Sequence, residues 1–160
     1  MIYVKQNDPA CYPIIQHSGC FFRSCGLLAE FKTGELLTAE QLNNIWDWAK
    51  AIGYINRRDE ITKSAEIANM FLRELGNQTG RFIEVGTFSQ GKVNYYPGIK
   101  KYNPELCRID ALIQKIKQGG PQGTHFRPVD KAGNVLEDPH EPAIKCLGIF
   151  YSILYAYEED

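Results

Sequence analysis

No stretch of the sequence supplies the ~18 consecutive apolar residues that a membrane-spanning helix needs, so no span is expected. The opening residues, Met1 to Pro9, lack a charged stretch leading into a long apolar one. That pattern is not a secretory signal and predicts a cytoplasmic protein. No sign of charge prevails: 18 Lys and Arg face 19 Asp and Glu, for a net charge of −1. This argues against a nucleic-acid partner held by bulk charge, and Lys100-Lys101 and Lys115/Lys117 read as solvated faces. The five cysteines, Cys11, Cys20, Cys25, Cys107 and Cys146, are odd in number and form no Cys-x-x-Cys pair. A disulfide framework and a structural zinc site both fit poorly, and reduced thiols with no metal or cofactor are expected. Internal repeats and low-complexity linkers are also missing, so residues 1–160 read as one domain.

What is present is an ordinary globular composition, 44% hydrophobic and 23% charged. Residues 1–19, punctuated by Pro9 and Pro13, read as an irregular lead-in. Dense apolar residues from Cys20 to Phe31 predict a central buried helix closed by Gly34. Thr38-Ala39-Glu40-Gln41 is a capping box opening a helix to about Ile52, with Trp46 on its inner face and Trp48 outside. Ala65, Ala68, Leu72 and Leu75 form one stripe of a third helix, Lys63 to Leu75, with Thr62 as its expected cap. Asn103-Pro104 signals a fourth, carrying Leu106, Ile109, Leu112, Ile113 and Ile116 inward and ending at Gly119-Gly120-Pro121.

Strand signals dominate the other segments. Alternation predicts strands over residues 81–88, at Thr124–Arg127, at Asn134–Glu137 after a turn at Asp130–Gly133, and from Gly148 to Tyr157. The acidic end, Glu158-Glu159-Asp160, is expected to fray. Helices first and an antiparallel sheet afterwards make an α+β fold with helices packed on the sheet.

Chemistry concentrates at Gln16-His17-Ser18-Gly19-Cys20-Phe21-Phe22. A polar turn delivers Cys20 to the first position of an apolar helix, where unpaired backbone N–H groups favour a thiolate. A glutamine nearby can offer an amide N–H to a developing oxyanion. A nucleophilic thiol also needs a base and a group to orient that base. Of the three histidines, His125 stands on a strand that would hold it rigidly, and Asp138 follows thirteen residues later across a hairpin. Asp130 is the alternative acid, but its position suits a turn. His17 reads as a loop residue. Taken singly, each residue has a plainer reading: a core thiol, a structural histidine, a turn aspartate.

Together these segments resemble the papain-like cysteine peptidases, in which a cysteine opens a buried helix. Gly119-Gly120-Pro121, Thr124-His125-Phe126, Val129-Asp130, Gly133-x-Val135 and Asp138-Pro139 are similar more narrowly to the bacterial C39-like branch, and to small bacterial and phage proteins of that fold with a Gly-Cys-aromatic-Phe signature. The resemblance implies a papain-like single domain. It assigns Cys20 as nucleophile, His125 as general base, Asp138 as orienting acid and Gln16 as oxyanion donor, with no cofactor. Two departures stand out. The family's glutamine-to-cysteine spacing is longer than the three residues here, and Cys25-Gly26, nine residues after Gln16, matches a Cys-Gly nucleophile pattern. Cys20 is preferred because Cys25 would lie inside the helix, where no N–H group is free.

Two functions follow. In one, the chain is a cysteine peptidase or amide hydrolase acting on a peptide or protein, peptidoglycan peptides included; acyl transfer would use the same residues. In the other it is a catalytically silent binding module, with Trp48, Tyr95 and Tyr96 as exposed contacts. Loops 53–61, 77–80 and 89–103 are where specificity is expected. Neither the substrate nor the oligomeric state is legible.

Overall fold

The structure is a computed structural model that describes residues 2–99, 108–119 and 123–159. Four helices precede a five-stranded antiparallel sheet, an α+β arrangement. The helices are α1 (Pro13–Ser18), α2 (Cys20–Thr33), α3 (Ala39–Ala51) and α4 (Ser64–Glu74). The strands are β1 (Gly80–Ser89), β2 (Lys92–Tyr95), β3 (Ala111–Lys117), β4 (Thr124–Val129) and β5 (Gly148–Glu159), in the order β2-β1-β5-β3-β4. No helix among the described residues is long and apolar enough to cross a membrane.

α2 and α4 cover one face of the sheet, α4 against β1 and α2 against β4. Their apolar faces meet at Phe22, which packs edge-on against both Trp46 of α3 and Phe71 of α4. Phe22, Cys25, Ala29, Ile67, Ala68, Phe71, Leu72 and Ile113 are fully buried. Burial of a Phe or Leu side chain stabilises by about 1.5–3 kcal/mol, so this seam is what holds α2 on the sheet. A smaller apolar cluster, built on Val85, Leu154 and Ala156, forms a second core unit.

The ends of the helices follow local chemistry. At α3, Thr38 accepts from the Gln41 N–H and the Gln41 side chain accepts from the Thr38 N–H, the reciprocal pair that the sequence predicts. Trp46 is buried and Trp48 is 69% exposed, as their angular separation requires. Gly34 ends α2 in the left-handed region at φ 76°. α4 departs from expectation: its cap residue is Lys63, without a capping side chain, and the Thr62 hydroxyl donates instead to the carbonyls of Gly53 and Tyr54.

Four further expectations are corrected. The lead-in holds a helix, because Pro13 stands at its first turn, where a fixed φ and a missing N–H both suit helix initiation. The helix expected from Asn103 to Gly119 is instead strand β3 over Ala111–Lys117; its start at Asn103–Cys107 lies outside the described residues. β3 lies between β5 and β4, with Ala111, Ile113 and Ile116 all buried. A strand buried on both faces loses its alternation, and its apolar residues then mimic helical spacing. The return strand Asn134–Glu137 reduces to one bridge, Val129 to Val135. The acidic end does not fray through Glu159: Glu158 pairs with Arg81, and Glu159 is in register with Gly80.

Candidate active site

Cys20 is the first residue of α2, and Gly19 is the cap residue between α1 and α2. The cap carries no side-chain hydrogen bond, so the first N–H groups of α2 have no capping oxygen. Gly19 is required by space. A Cβ there would stand 2.3 Å from the Ile15 carbonyl oxygen, closer than atoms pack. The close approach lets α2 begin one residue after α1 ends, which presents Cys20 at the end of the helix.

β4 brings His125 to the same place. Its neighbour Phe126 stacks on Phe21, the residue after Cys20, with ring centres 4.4 Å apart and planes 8° from parallel. This contact clamps the start of α2 to the start of β4. Cys20, His125, Gln6, Gln16, Gln118 and His140 share the wall of a cleft of about 360 Å³. His125 is 3% exposed and Cys20 half-buried.

Nε2 of His125 lies 2.9 Å from Oδ1 of Asp138. That carboxylate is fixed on its other sides by the N–H of His140 to Oδ1 at 2.9 Å and the N–H of Ile144 to Oδ2 at 3.1 Å. Burial opposes the Asp138 charge, but the bonds from His125, His140 and Ile144 outweigh it and hold the carboxyl below its usual range. Burial likewise opposes an imidazolium at His125. The hydrogen bond to Asp138, the Asp138 charge and the neighbouring Cys20 push its pKa up to about 9. With Nε2 on Asp138, Nδ1 is the nitrogen left to serve the thiol.

The N-terminal segment holds the acid loop. Lys5 Nζ donates to the Asp138 carbonyl at 2.7 Å and reaches the Glu137 carboxylate. The Gln6 N–H donates to Pro139 O, and Asn7 exchanges hydrogen bonds with Glu141. The sequence offered no signal for this clamp, because its partners are more than 130 residues apart.

Gln16 reaches the cleft wall beside Cys20, and its amide Nε2 donates one N–H to the Cys11 carbonyl at 2.7 Å. Gln6, which sequence reasoning passed over, is 4% exposed in the same wall. Its Nε2 makes one long bond of 3.4 Å to the Gln16 carbonyl, and its Oε1 is buried without a partner. Cys25, the competing thiol, is fully buried, and that burial raises its pKa far above the ordinary range. Asp130 caps its own turn, accepting from the N–H groups of Ala132 and Asn134. His17 lines the cleft, and His140 stands edge-on to His125 with ring centres 6.5 Å apart. No group of three or more His, Cys, Asp or Glu side chains among the described residues is arranged to hold a metal ion.

No protein-family model, no curated protein and no solved structure matches the chain.

Proposed function

We propose that the protein is a papain-like cysteine peptidase or amide hydrolase, with Cys20 as nucleophile, His125 as general acid–base and Asp138 as the group that orients His125. The observation that carries this reading is that a half-buried Cys20, at the open start of α2, shares one cleft wall with His125, which is itself bonded to the buried Asp138. A merely structural histidine needs a carboxylate. It does not need a half-exposed thiol on its other side at the wall of a cleft.

In this reading the Cys20 sulfur attacks the carbonyl carbon of an amide, and the carbonyl electron pair moves onto oxygen. The Cys20 backbone N–H receives that oxyanion, and Gln6 supplies the second donor. Gln6 suits the role better than Gln16, since its amide is held only by one long bond of 3.4 Å, whereas the amide of Gln16 is fixed at 2.7 Å on the Cys11 carbonyl. The tetrahedral adduct collapses, the C–N bond breaks, and the amine leaves with the proton of the His125 imidazolium. Neutral His125 then takes a proton from water, whose oxygen attacks the thioester. The carboxylic acid departs, and the thiolate and imidazolium are restored. Asp138 keeps the ring in one tautomer and supports its positive charge.

The test is iodoacetamide labelling read cysteine by cysteine by mass spectrometry, on the native chain and on His125→Ala. Cys20 should be labelled first, at least about tenfold faster than Cys146, and should lose most of that advantage without His125. Labelling of Cys20 that ignores His125 would overturn the reading and leave a binding protein on the same frame.

A further inference from the structure

Beside the cleft lies a second pocket of about 540 Å³ whose role the hydrolytic chemistry leaves open. Phe21 is its point of contact with the candidate site: this ring follows Cys20 in the chain, stacks on Phe126 next to His125, and forms one wall of the pocket. A substrate whose carbonyl lies on Cys20 can extend past Phe21 toward this pocket. The other walls include Tyr96, Phe150 and Tyr151, and the polar groups are Thr62, Ser64, Glu84, Thr87, Ser89 and Gln90. Among the described residues, and apart from the tyrosines, Glu84 is the only ionisable group in the lining.

The fold places Glu84 there through a bulge in β1. Glu84 pairs with Tyr155 and Gly86 with Leu154, so Val85 is the extra residue. The alternation shifts by one at that point. Val85 joins the apolar cluster built with Leu154 and Ala156, while Glu84, Thr87 and Ser89 all line the pocket. Glu84 is half-buried and takes hydrogen bonds from the Ser64 hydroxyl at 3.0 Å and the Tyr96 hydroxyl at 2.5 Å. It has no ion pair among the described residues. Lys115 stands over the Tyr151 ring at 5.6 Å, without pairing with Glu84. The uncompensated charge is felt around it. It adds to burial in raising the hydroxyl pKa values of Tyr96, Tyr151 and Tyr155.

A fixed carboxylate walled by aromatic faces is complementary to a cation: the carboxylate supplies charge, and the ring faces attract it further. We propose that this pocket is a substrate subsite for a basic side chain, lysine or arginine, with Glu84 as its counter-charge. The proposal rests on Cys20 being the nucleophile. It narrows the substrate class to peptides that are basic near the scissile amide.

The experiment uses peptidyl chloromethyl ketones in which lysine, norleucine or glutamate occupies each of the three positions preceding the reactive group, with labelling of Cys20 as the readout. At one position the lysine probe should label Cys20 about tenfold faster than the glutamate probe, with norleucine between. Glu84→Gln should bring the three rates together, and Glu84→Lys should reverse their order. A purely structural role for Glu84, as an anchor for Ser64 at the start of α4, would alter stability without changing that order. Equal rates for the three probes on the native chain overturn the subsite, whether or not the Glu84 variants fold. So does a lysine preference that survives Glu84→Gln. If Cys20 reacts with iodoacetamide in a His125-dependent way yet shows no probe preference, the subsite alone fails. If no probe and no iodoacetamide selects Cys20, the subsite falls together with the hydrolase reading.

Discussion

Nε2 of His125 and Oδ1 of Asp138 stand 2.9 Å apart, and the same oxygen accepts the backbone N–H of His140 at an equal distance. One carboxylate thus shapes its own loop and orients the imidazole. The two roles separate on substitution. Asp138→Asn keeps one oxygen, which can serve the His140 N–H, but loses the acceptor of the Ile144 N–H and the charge that supports the imidazolium. Amide turnover should fall by roughly 10²–10⁴, with a smaller loss of thermal midpoint than in Asp138→Ala. Asp138→Ala should lose both activity and stability. An Asp138→Asn protein with unchanged turnover would remove Asp138 from the proposed chemistry.

The raised His125 pKa fixes the sign of two pH dependences. The leaving amine needs the imidazolium, so kcat/KM should decline as pH rises through about 9. The same shift contributes to stability. His125 binds its proton more tightly folded, near 9, than at its ordinary value of 6.5. The contribution is therefore fully present below 6.5 and lost as pH rises through about 9. Chemical denaturation of the native chain and His125→Gln, compared at pH 6 and pH 10, measures it. The stability gap between the two should be wider at pH 6. A gap that widens toward pH 10 would contradict the assignment of a charged His125.

Much of this arrangement was legible in the sequence, for local reasons. Gly19-Cys20 before an apolar run marks a helix start, the Thr38 box marks another, and alternation marks β1 and β5. Cys20 and His125, singled out by motif order, share one cleft wall, and Asp138 bonds to His125. What escaped depends on partners far apart in the chain. β3 read as a helix because a strand covered on both faces shows no alternation. Gln6 and Lys5 carry no motif, and only the clamp to residues 137–141 gives them their places. The Glu84 pocket depends on a bulge at Val85, which changes which side chains share a face. Pairing register, unlike helix capping, has no signature within a few residues.

Gly19 should resist substitution for a reason distinct from chemistry. In Gly19→Ala the new methyl meets the Ile15 carbonyl oxygen at 2.3 Å, so the α1–α2 junction must move. Overpacking of this kind costs about 1–3 kcal/mol. Because Cys20 is the next residue, its His125-dependent labelling should fall as well. Gly34→Ala is the control: φ 76° makes it strained, but nothing lies within 4 Å of the new methyl. That variant should lose about 1–2 kcal/mol and keep the labelling of Cys20 intact. Equal effects of the two on labelling would show that the junction does not position the thiol.

α2 carries a buried ion pair that its apolar appearance concealed. Arg23 and Glu30, two turns apart on α2, touch at 2.5 Å with both side chains 0% exposed. Arg23 Nε also donates to the Val4 carbonyl, and the Leu37 N–H donates to Glu30. Removing one partner strands the other charge in a dry interior, which costs about 3–5 kcal/mol. Arg23→Met and Glu30→Gln should each destabilise strongly in urea unfolding. Replacing both, Arg23→Met with Glu30→Leu, removes the stranded charge and should recover most of the loss, since a well-packed apolar pair of similar volume is often no less stable. The double variant also separates stability from placement. Arg23 holds the N-terminal segment at Val4, immediately before the Lys5–Gln6 clamp on the Asp138 loop. If the pair positions the site, the stable double variant should still label Cys20 more slowly than the native chain. Native labelling in that variant would confine the pair to stability alone.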